Sequence, residues 1–366
     1  MKKLGVYIHI PFCNRKCSYC DFVSGVYSDD VKRAYFDELD KEIRAFDFTG
    51  YAVDSVYFGG GTPSSVPSAC IAGALDCLRS AARTEDGCEI TVECNPESLT
   101  GDKVADYAAC GVNRMSIGLQ SATDSLLERI GRLHTTNDFV RALDAAQSRF
   151  DNVSADIMLG LPGQTSADIV RAVKLLAGRN LSHVSAYALK VEEGTPLAAS
   201  GYTPDEDYSA ELYETAADML LGYGYRRYEV SNFAFPGFEC RHNMRYWTRG
   251  EYRGFGVAAH SFVRDTRFCN TSSLDDYLRG VRTTDSEYIL PDGREAAEET
   301  LVLALRTADG LDLAGYRDRF GTDPEKEKRE VLEYLDGYVE IAGGRLRLTD
   351  KGFYVMNEII VRLLSD

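Results

Sequence analysis

Cys13-Asn14-Arg15-Lys16-Cys17-Ser18-Tyr19-Cys20, entered through Tyr7-Ile8-His9-Ile10-Pro11-Phe12, sets the terms for the rest of the chain. Three thiols spaced C-x3-C-x2-C can converge on one metal centre, because so short a loop curls its sulfurs inward at little closure entropy. Three thiolates around a four-iron cluster leave one iron without a protein ligand, open to a substrate or cofactor. A rival reading takes His9 as a fourth ligand, H-x3-C-x3-C-x2-C, and closes a zinc tetrahedron. Structural zinc sites draw ligands from two knuckles, whereas one apolar strand feeds all three thiols here, so the cluster is favoured. A disulfide framework does not fit: the other seven of the ten Cys lack ligand-like spacing, a usage that suits the reducing cytoplasm. Cys70, Cys77 and Cys110 fall in helical patterns and read as small buried apolar groups.

Outward from that loop, Leu4 to Ile10 alternates and stops at Pro11, which predicts a strand with the cysteines at its C-terminal end. A helix capped by Asp29 or Asp30 runs to about Phe46, a strand Ser55-Val-Tyr-Phe58 enters Gly59-Gly-Gly-Thr-Pro63, and a helix follows from Ser68. Strands near Glu89 to Glu93, Arg114 to Gly118, Val153 to Met158 and Val184 to Leu189, each followed by a helical stretch, complete six βα units. Such alternation predicts a parallel sheet with right-handed crossovers and a site in the loops after the strand ends. Six units fall short of eight, so the expected α/β fold is an open, partial (β/α)6 barrel over residues 1–200, a doubly wound sheet being the alternative. Residues 201–290 read as a barrel extension and connecting segment, aromatic and Arg-rich from Tyr223 to Phe262 and then polar. Residues 291–366 read as helices, a hairpin (Tyr338-Val-Glu-Ile341, Gly343-Gly344, Arg345-Leu-Arg-Leu348) and a last helix from Thr349 or Asp350, a mostly helical, winged-helix-like domain.

The 366 residues, 44% of them apolar, suffice for one large domain and a smaller one. A formal charge of -16 repels nucleic acid and anionic headgroups, and no basic patch offsets it. Residues 291–366 carry 11 Lys and Arg against 17 Asp and Glu, so the wing is expected to pack or cover a substrate and not to bind DNA. No segment is apolar enough to span a bilayer, and His9 and Pro11 interrupt the faint signal-peptide pattern at the start. Peripheral membrane docking and oligomeric state are left open.

Polar and glycine motifs sit after the strands. Gly59 to Pro63 lets backbone approach a ligand without a Cβ in the way. Glu93 ends the third strand, where a carboxylate can accept hydrogen bonds from a ribose or amino group; Gln120 and Arg132 stand at similar edges. Asp156 lies inside an apolar strand and needs either a buried partner or a cofactor to offset its desolvation.

Together these motifs resemble the radical S-adenosylmethionine (SAM) superfamily and, within it, the oxygen-independent coproporphyrinogen III oxidase-like family. Tyr-Ile-His-Ile-Pro-Phe-Cys at 7 to 13, Gly-Gly-Gly-Thr-Pro at 59 to 63, Gly-Leu-Gln at 118 to 120 and Asp-Ile-Met-Leu-Gly-Leu-Pro at 156 to 162 carry the resemblance. It implies that Cys13, Cys17 and Cys20 hold a 4Fe-4S cluster, and that Tyr7, Tyr19, Gly60, Gly61, Thr62, Glu93, Gln120, Arg132 and Asp156 line the SAM region. In that superfamily the reduced cluster cleaves SAM to methionine and a 5′-deoxyadenosyl radical. Two departures separate this chain from the oxidases: Phe22 stands where they carry a fourth cysteine, and their N-terminal extension is lacking. His242-Asn243-Met-Arg-Tyr246-Trp247 is instead similar to the H-N-x-x-Y-W motif of the family's haem-chaperone branch. That branch implies haem as ligand and apo-haem-proteins, expected to be those of the respiratory chain, as acceptors. Coproporphyrinogen III decarboxylation and a structural zinc protein are the alternatives. Haem is expected against Tyr223 to Trp247, near the barrel mouth, with His242 as axial donor and Cys240 as its rival; the other reading of His242 is a packing cluster with Tyr246 and Trp247.

Overall fold

A computed structural model describes residues 1–365, with residues 284 and 285 described by backbone alone. Strand and helix alternate from the start: β1 (Lys2–Ile10), α1 (Asp29–Ala45), β2 (Tyr51–Gly60), α2 (Ser68–Ala81), β3 (Thr84–Cys94), α3 (Gly101–Ala109), β4 (Arg114–Gln120), α4 (Asp124–Arg129), α5 (Thr136–Gln147), β5 (Val153–Leu159), α6 (Ser166–Ala177) and β6 (His183–Ala188). The six strands lie side by side in chain order and pair in parallel. In-order neighbours wind always the same way, so the sheet curls instead of reversing at a switch point. This is the partial (β/α)6 barrel expected from the sequence, and it excludes the doubly wound alternative. β1 and β6 do not pair with each other, so the barrel stays open.

Alternation explains the layers. Leu4, Val6, Ile8 and Ile10 are fully buried and share one core with Leu39 and Ile43 of α1 and Leu75 and Leu78 of α2, leaving Gly5, Tyr7 and His9 to face the barrel interior. The helices start on side-chain caps: Ser28 accepts from the Val31 amide, and Thr135 and Asp138 form a reciprocal capping box on α5.

Beyond β6 come α7 (Pro196–Ala199), α8 (Glu206–Gly222), β7 (Arg226–Glu229), β8 (Asn232–Ala234), α9 (Arg241–Trp247), β9 (Tyr252–Phe255), β10 (His260–Val263), β11 (Thr266–Asn270), α10 (Leu274–Leu278) and β12 (Thr283–Tyr288). β8 and β7 extend the sheet past β6, while β9 pairs in parallel with β1 and leads to antiparallel β10, β11 and β12. The aromatic and polar stretches are therefore sheet, which their sequence does not announce. One distant carboxylate ties several of their buried donors together: Glu42 of α1 accepts from Arg253 (2.6 Å), the Gly256 amide (2.9 Å), Asn270 (2.8 Å) and Tyr277 (2.7 Å).

The remaining elements are α11 (Arg294–Ala304), β13 (Leu311–Asp312), α12 (Leu313–Phe320), α13 (Pro324–Glu327), α14 (Arg329–Tyr334), β14 (Val339–Ala342), β15 (Arg345–Leu348), α15 (Asp350–Tyr354) and α16 (Met356–Leu364). The hairpin pairs as expected, Val339 against Leu348, and β13 adds a third strand. A separate core of Leu301, Leu305, Leu346, Ile359 and Leu363 holds this mostly helical region together. Arg227, buried with its guanidinium 4.7 Å from the Phe353 ring, ties it to the barrel. Among the described residues no helix is long and apolar enough to cross a membrane.

Removing Glu42 strands a buried guanidinium and three further donors. Glu42→Ala should therefore lose about 3–5 kcal/mol of unfolding free energy in urea titrations; a loss under about 1 kcal/mol would show that the carboxylate does not hold the extension.

Candidate functional site

The C-terminal ends of β1 to β6 open on a cavity of about 470 Å³. Its lining includes Cys13, Cys17, Tyr19, Cys20, Gly60, Gly61, Thr62, Glu93, Gln120, Arg132 and Asp156. Backbone bonds fix the cysteine loop over this opening. The Cys13 amide donates to Gly25 and the Gly25 amide to Pro11, both at 2.9 Å, closing the loop's base, while the Ser18 amide reaches Ile130 at 3.1 Å. The glycine turn after β2 locks against it: Gly61 donates to the Ile10 carbonyl (2.9 Å) and Thr62 to that of Phe12 (2.7 Å). A Cβ on Gly61 would meet both carbonyl oxygens at 2.8 Å, and one on Gly60, whose φ is +105°, would run into the His9 ring. The glycines are thus demanded by the protein's own packing, besides any ligand.

Side chains then aim at the thiols. Thr62 Oγ1 donates to Cys13 Sγ at 3.5 Å, and Arg132 Nη1 stands 3.9 Å from Cys17 Sγ while Nη2 is held by Asn95 and the Gly118 carbonyl, each at 2.8 Å. Gln120 takes a left-handed backbone (φ +64°) at the end of β4 and accepts from the Tyr187 hydroxyl at 3.2 Å. Burial raises the Cys13 and Cys20 thiols above their ordinary range, so a cationic centre is needed to hold them as thiolates at neutral pH.

His9 is not set to close a zinc tetrahedron: it is hydrogen-bonded through Nδ1 to Tyr7 (3.1 Å) and through Nε2 to the Val23 carbonyl (2.9 Å).

Two carboxylates face each other across the interior. Glu93 is pushed up to about 7 by burial, against the pull of the Tyr57 hydroxyl that donates to it at 2.8 Å; the nearby Asp156 charge raises it further. Burial also raises Asp156, which is bonded by Ser185 and by Ser116 at 3.3 Å. Arg114, buried at the head of β4, opposes both shifts with its positive charge. Sequence reasoning passed over Arg114, Tyr57, Asn95 and Tyr187, all on the cavity wall. Their signal was the strand period: Tyr57 points the same way as Ser55 and Gly59, and Arg114 is the lone charge in Arg-Met-Ser-Ile-Gly-Leu-Gln.

Two expected site residues stand apart from this cavity. Tyr7 lies one strand over, its hydroxyl on His9 and its ring 6.3 Å from that of Tyr57. His242 is fully buried: Nδ1 is bonded to Ser55 (3.0 Å), Nε2 to Tyr246 (2.8 Å), and the ring stacks on Tyr57 at 5.2 Å. Burial, then the Arg245 and Arg114 charges, push it down to about 3, so it packs as a neutral ring. Helix α9 does not line the mouth; its Arg241, Met244 and Arg245 share a second cavity, about 730 Å³, with Lys3, Asn113 and Asn152 at the N-terminal ends of the strands. Asn243 alone of the motif reaches the first cavity from below. Tyr225, Tyr228 and Phe233 are buried as well, so the stretch expected to hold haem is the barrel's floor.

Fold and cavity together define a protein of the radical SAM superfamily, whose family model matches residues 7–176, with the HemN C-terminal domain matching residues 292–355. The chain belongs to the HemW family of haem chaperones. It is 31% identical to the heme chaperone HemW of Bacillus subtilis, covering 99% of both chains, and 35% identical to that of Mycobacterium tuberculosis, covering 99% of this chain and 95% of the relative. It is 34% identical to the Bos taurus radical S-adenosyl methionine domain-containing protein 1, mitochondrial, of which 88% is covered. Among solved structures, coproporphyrinogen III oxidase (HemN) from Escherichia coli, a radical SAM enzyme, superposes with a TM-score of 0.85 over 99% of this chain and 90% of that one; at 23% identity this shows a shared fold.

His242→Ala removes a ring from a closed cluster and orphans two hydroxyls, so unfolding free energy should fall by about 3 kcal/mol in urea titrations. A loss below about 1 kcal/mol would mean that His242 is not the packing element its contacts describe.

Proposed function

We propose that this chain binds a 4Fe-4S cluster through Cys13, Cys17 and Cys20, SAM in the cavity beside it, and haem, which it passes to apo-proteins, those of the respiratory chain included. The observation that carries the first part is one loop with three unbridged thiols on the rim of a cavity whose walls hold two half-buried carboxylates, Glu93 and Asp156. Phe22, 61% exposed on the same rim, leaves the loop without a fourth thiol. Family membership supports the haem part, since the relatives are named for it.

Bound there, cluster and SAM supply one-electron chemistry. The chain's own residues supply placement. Arg132 sets positive charge beside Cys17, and Thr62 donates to Cys13, which suits sulfurs carrying negative charge. Gly60, Gly61 and Thr62 offer backbone at the cavity edge, and Tyr19 and Gln120 close the sides. Glu93 and Asp156 give the interior two groups that prefer a cationic occupant, as SAM is through its ammonium and sulfonium. Tyr57 holds the Glu93 proton-accepting face in one orientation.

The deciding experiment incubates anaerobically reconstituted protein with coproporphyrinogen III, SAM and reductant, and in parallel loads it with haem and presents an apo-haem-protein. Haem transfer without porphyrinogen turnover is expected; turnover with no transfer would make the chain an oxidase instead.

Glu93 also gives a pH test. With its pKa near 7, a cationic ligand favours the ionised form, so SAM affinity should rise with pH through about 7 and level off above it. Below that, affinity should fall by up to about ten-fold per unit, and Glu93→Gln should flatten the profile in calorimetric titrations from pH 6 to 8 (about one unit either side). A flat wild-type profile would remove Glu93 from the SAM site.

A further inference from the structure

The barrel interior is built unlike a packed core. Its inward positions follow from the register: Arg114 pairs with Thr91, Ser116 with Glu93 and Ser154, and Ser185 with Asp156. Paired residues share a face. Parallel barrels are usually filled by Val, Ile and Leu, whereas these positions carry charged groups and three serines, which leave room that bulkier residues would take. Beneath the residues that line the SAM region, the cavity wall is formed by Arg114, Ser116, Ser185, Asn232 of β8 and, from α9 below, Asn243.

Arg114 stands out in that wall. It is 2% exposed, and among the described residues its guanidinium makes no hydrogen bond or ion pair, Nε being enclosed without a partner. The acids around it are engaged elsewhere. Glu89 is taken by the Arg241 and His242 amides and by the Cys240 thiol at 3.6 Å, Glu93 by Tyr57, and Asp156 by Ser116. They steady Arg114 only through space. A buried guanidinium without a direct partner is costly, and its planar fork of donors matches a carboxylate or a phosphate. Glu93 and Asp156 share the chamber and repel a second negative charge, which favours the singly charged carboxylate. Asn232 Oδ1 also lacks a partner and offers an acceptor to a hydroxyl on the same acid.

Position and room narrow the ligand further. Arg114 stands four residues before Gly118, whose carbonyl holds Arg132 beside the thiols, so it lies about 13 Å deeper along β4. The whole cavity is about 470 Å³. With SAM at the mouth, a small molecule fits below it and a tetrapyrrole does not, and the polar deep wall offers no apolar face to a haem plate.

We propose that the deep half of this cavity is a second ligand site, for a small organic acid whose carboxylate is held by Arg114. The site goes beyond the SAM and haem reading above and depends on neither. The test titrates L-lactate, acetate and lactamide, the uncharged analogue of lactate, into anaerobically reconstituted full-length protein by calorimetry, with and without SAM. Wild type is compared with Arg114→Gln, Arg114→Lys and Asn243→Leu, with cluster iron and urea midpoints as controls for folding. Lactate should bind saturably, and lactamide at least about ten-fold more weakly. Arg114→Gln should lose at least about ten-fold in lactate affinity with lactamide unmoved, and Arg114→Lys, which keeps the charge, should recover most of it. Asn243→Leu fills the deep end from below without removing Arg114 and should block lactate. Lactamide binding as tightly as lactate, inorganic phosphate binding more tightly, wild-type lactate affinity in Arg114→Gln or Asn243→Leu, or no saturable binding of either acid would each overturn the assignment. Competition between lactate and SAM, with both weakened equally in Arg114→Gln, would give Arg114 to the carboxylate of SAM and overturn it too. The arm without SAM separates the failures: a chain that takes up no SAM yet binds lactate through Arg114 keeps this site and loses the earlier reading.

Discussion

The contact on which the site depends is the interlock of two loops, Gly61 and Thr62 bonded to the carbonyls of Ile10 and Phe12. It welds the end of β2 to the end of β1 so closely that no side chain fits at Gly61. The cysteine loop begins one residue later, so its thiols inherit the rigidity of two central parallel strands. Parallel strands in chain order place every strand end at one rim, and the residues with chemistry follow from that geometry: Glu93 ends β3, Gln120 ends β4, and Asp156 and Tyr187 face inward from β5 and β6.

The interior is costly to keep. Glu89, Arg114, Glu93 and Asp156 are charged or chargeable groups inside one barrel, and burial works against the charged state of each carboxylate whose shift is resolved. Arg114 offsets part of this, and α9 closes the floor by donating its first amides to Glu89, from Arg241 at 3.1 Å and His242 at 3.0 Å. The H-N-x-x-Y-W segment therefore reads as architecture beneath the cavity: His242 stacks, Tyr246 satisfies it, and Asn243 reaches up into the space above. Above that floor the cavity sets two carboxylates, Glu93 and Asp156, and two guanidiniums, Arg114 and Arg132, beneath a rim of sulfur.

Much of this was legible in the sequence, and the exceptions share a cause. The six strands announce themselves because their outward faces are apolar and helices cover them. The thiols and Glu93 are legible because they sit at strand ends, where spacing is local. The extension formed by β9 to β12 is not, since its strands are short and carry Arg253 and Asn270, whose burial is made acceptable by Glu42, a residue on α1 that no local pattern connects to them. The contacts of His242 and Tyr7 are illegible for the same reason: a polar residue in an aromatic stretch signals either ligation or a satisfied core, and the partners Ser55, Tyr246 and His9 follow from the fold and not from any local pattern.

Whether three thiolates of one loop leave an iron open to SAM is tested most directly by electron paramagnetic resonance of the anaerobically reduced, reconstituted protein, with and without isotopically labelled SAM. An iron–sulfur signal that shifts on adding SAM and acquires hyperfine coupling from the label is expected. A signal indifferent to SAM, or a colourless zinc-loaded protein with no signal, would contradict it.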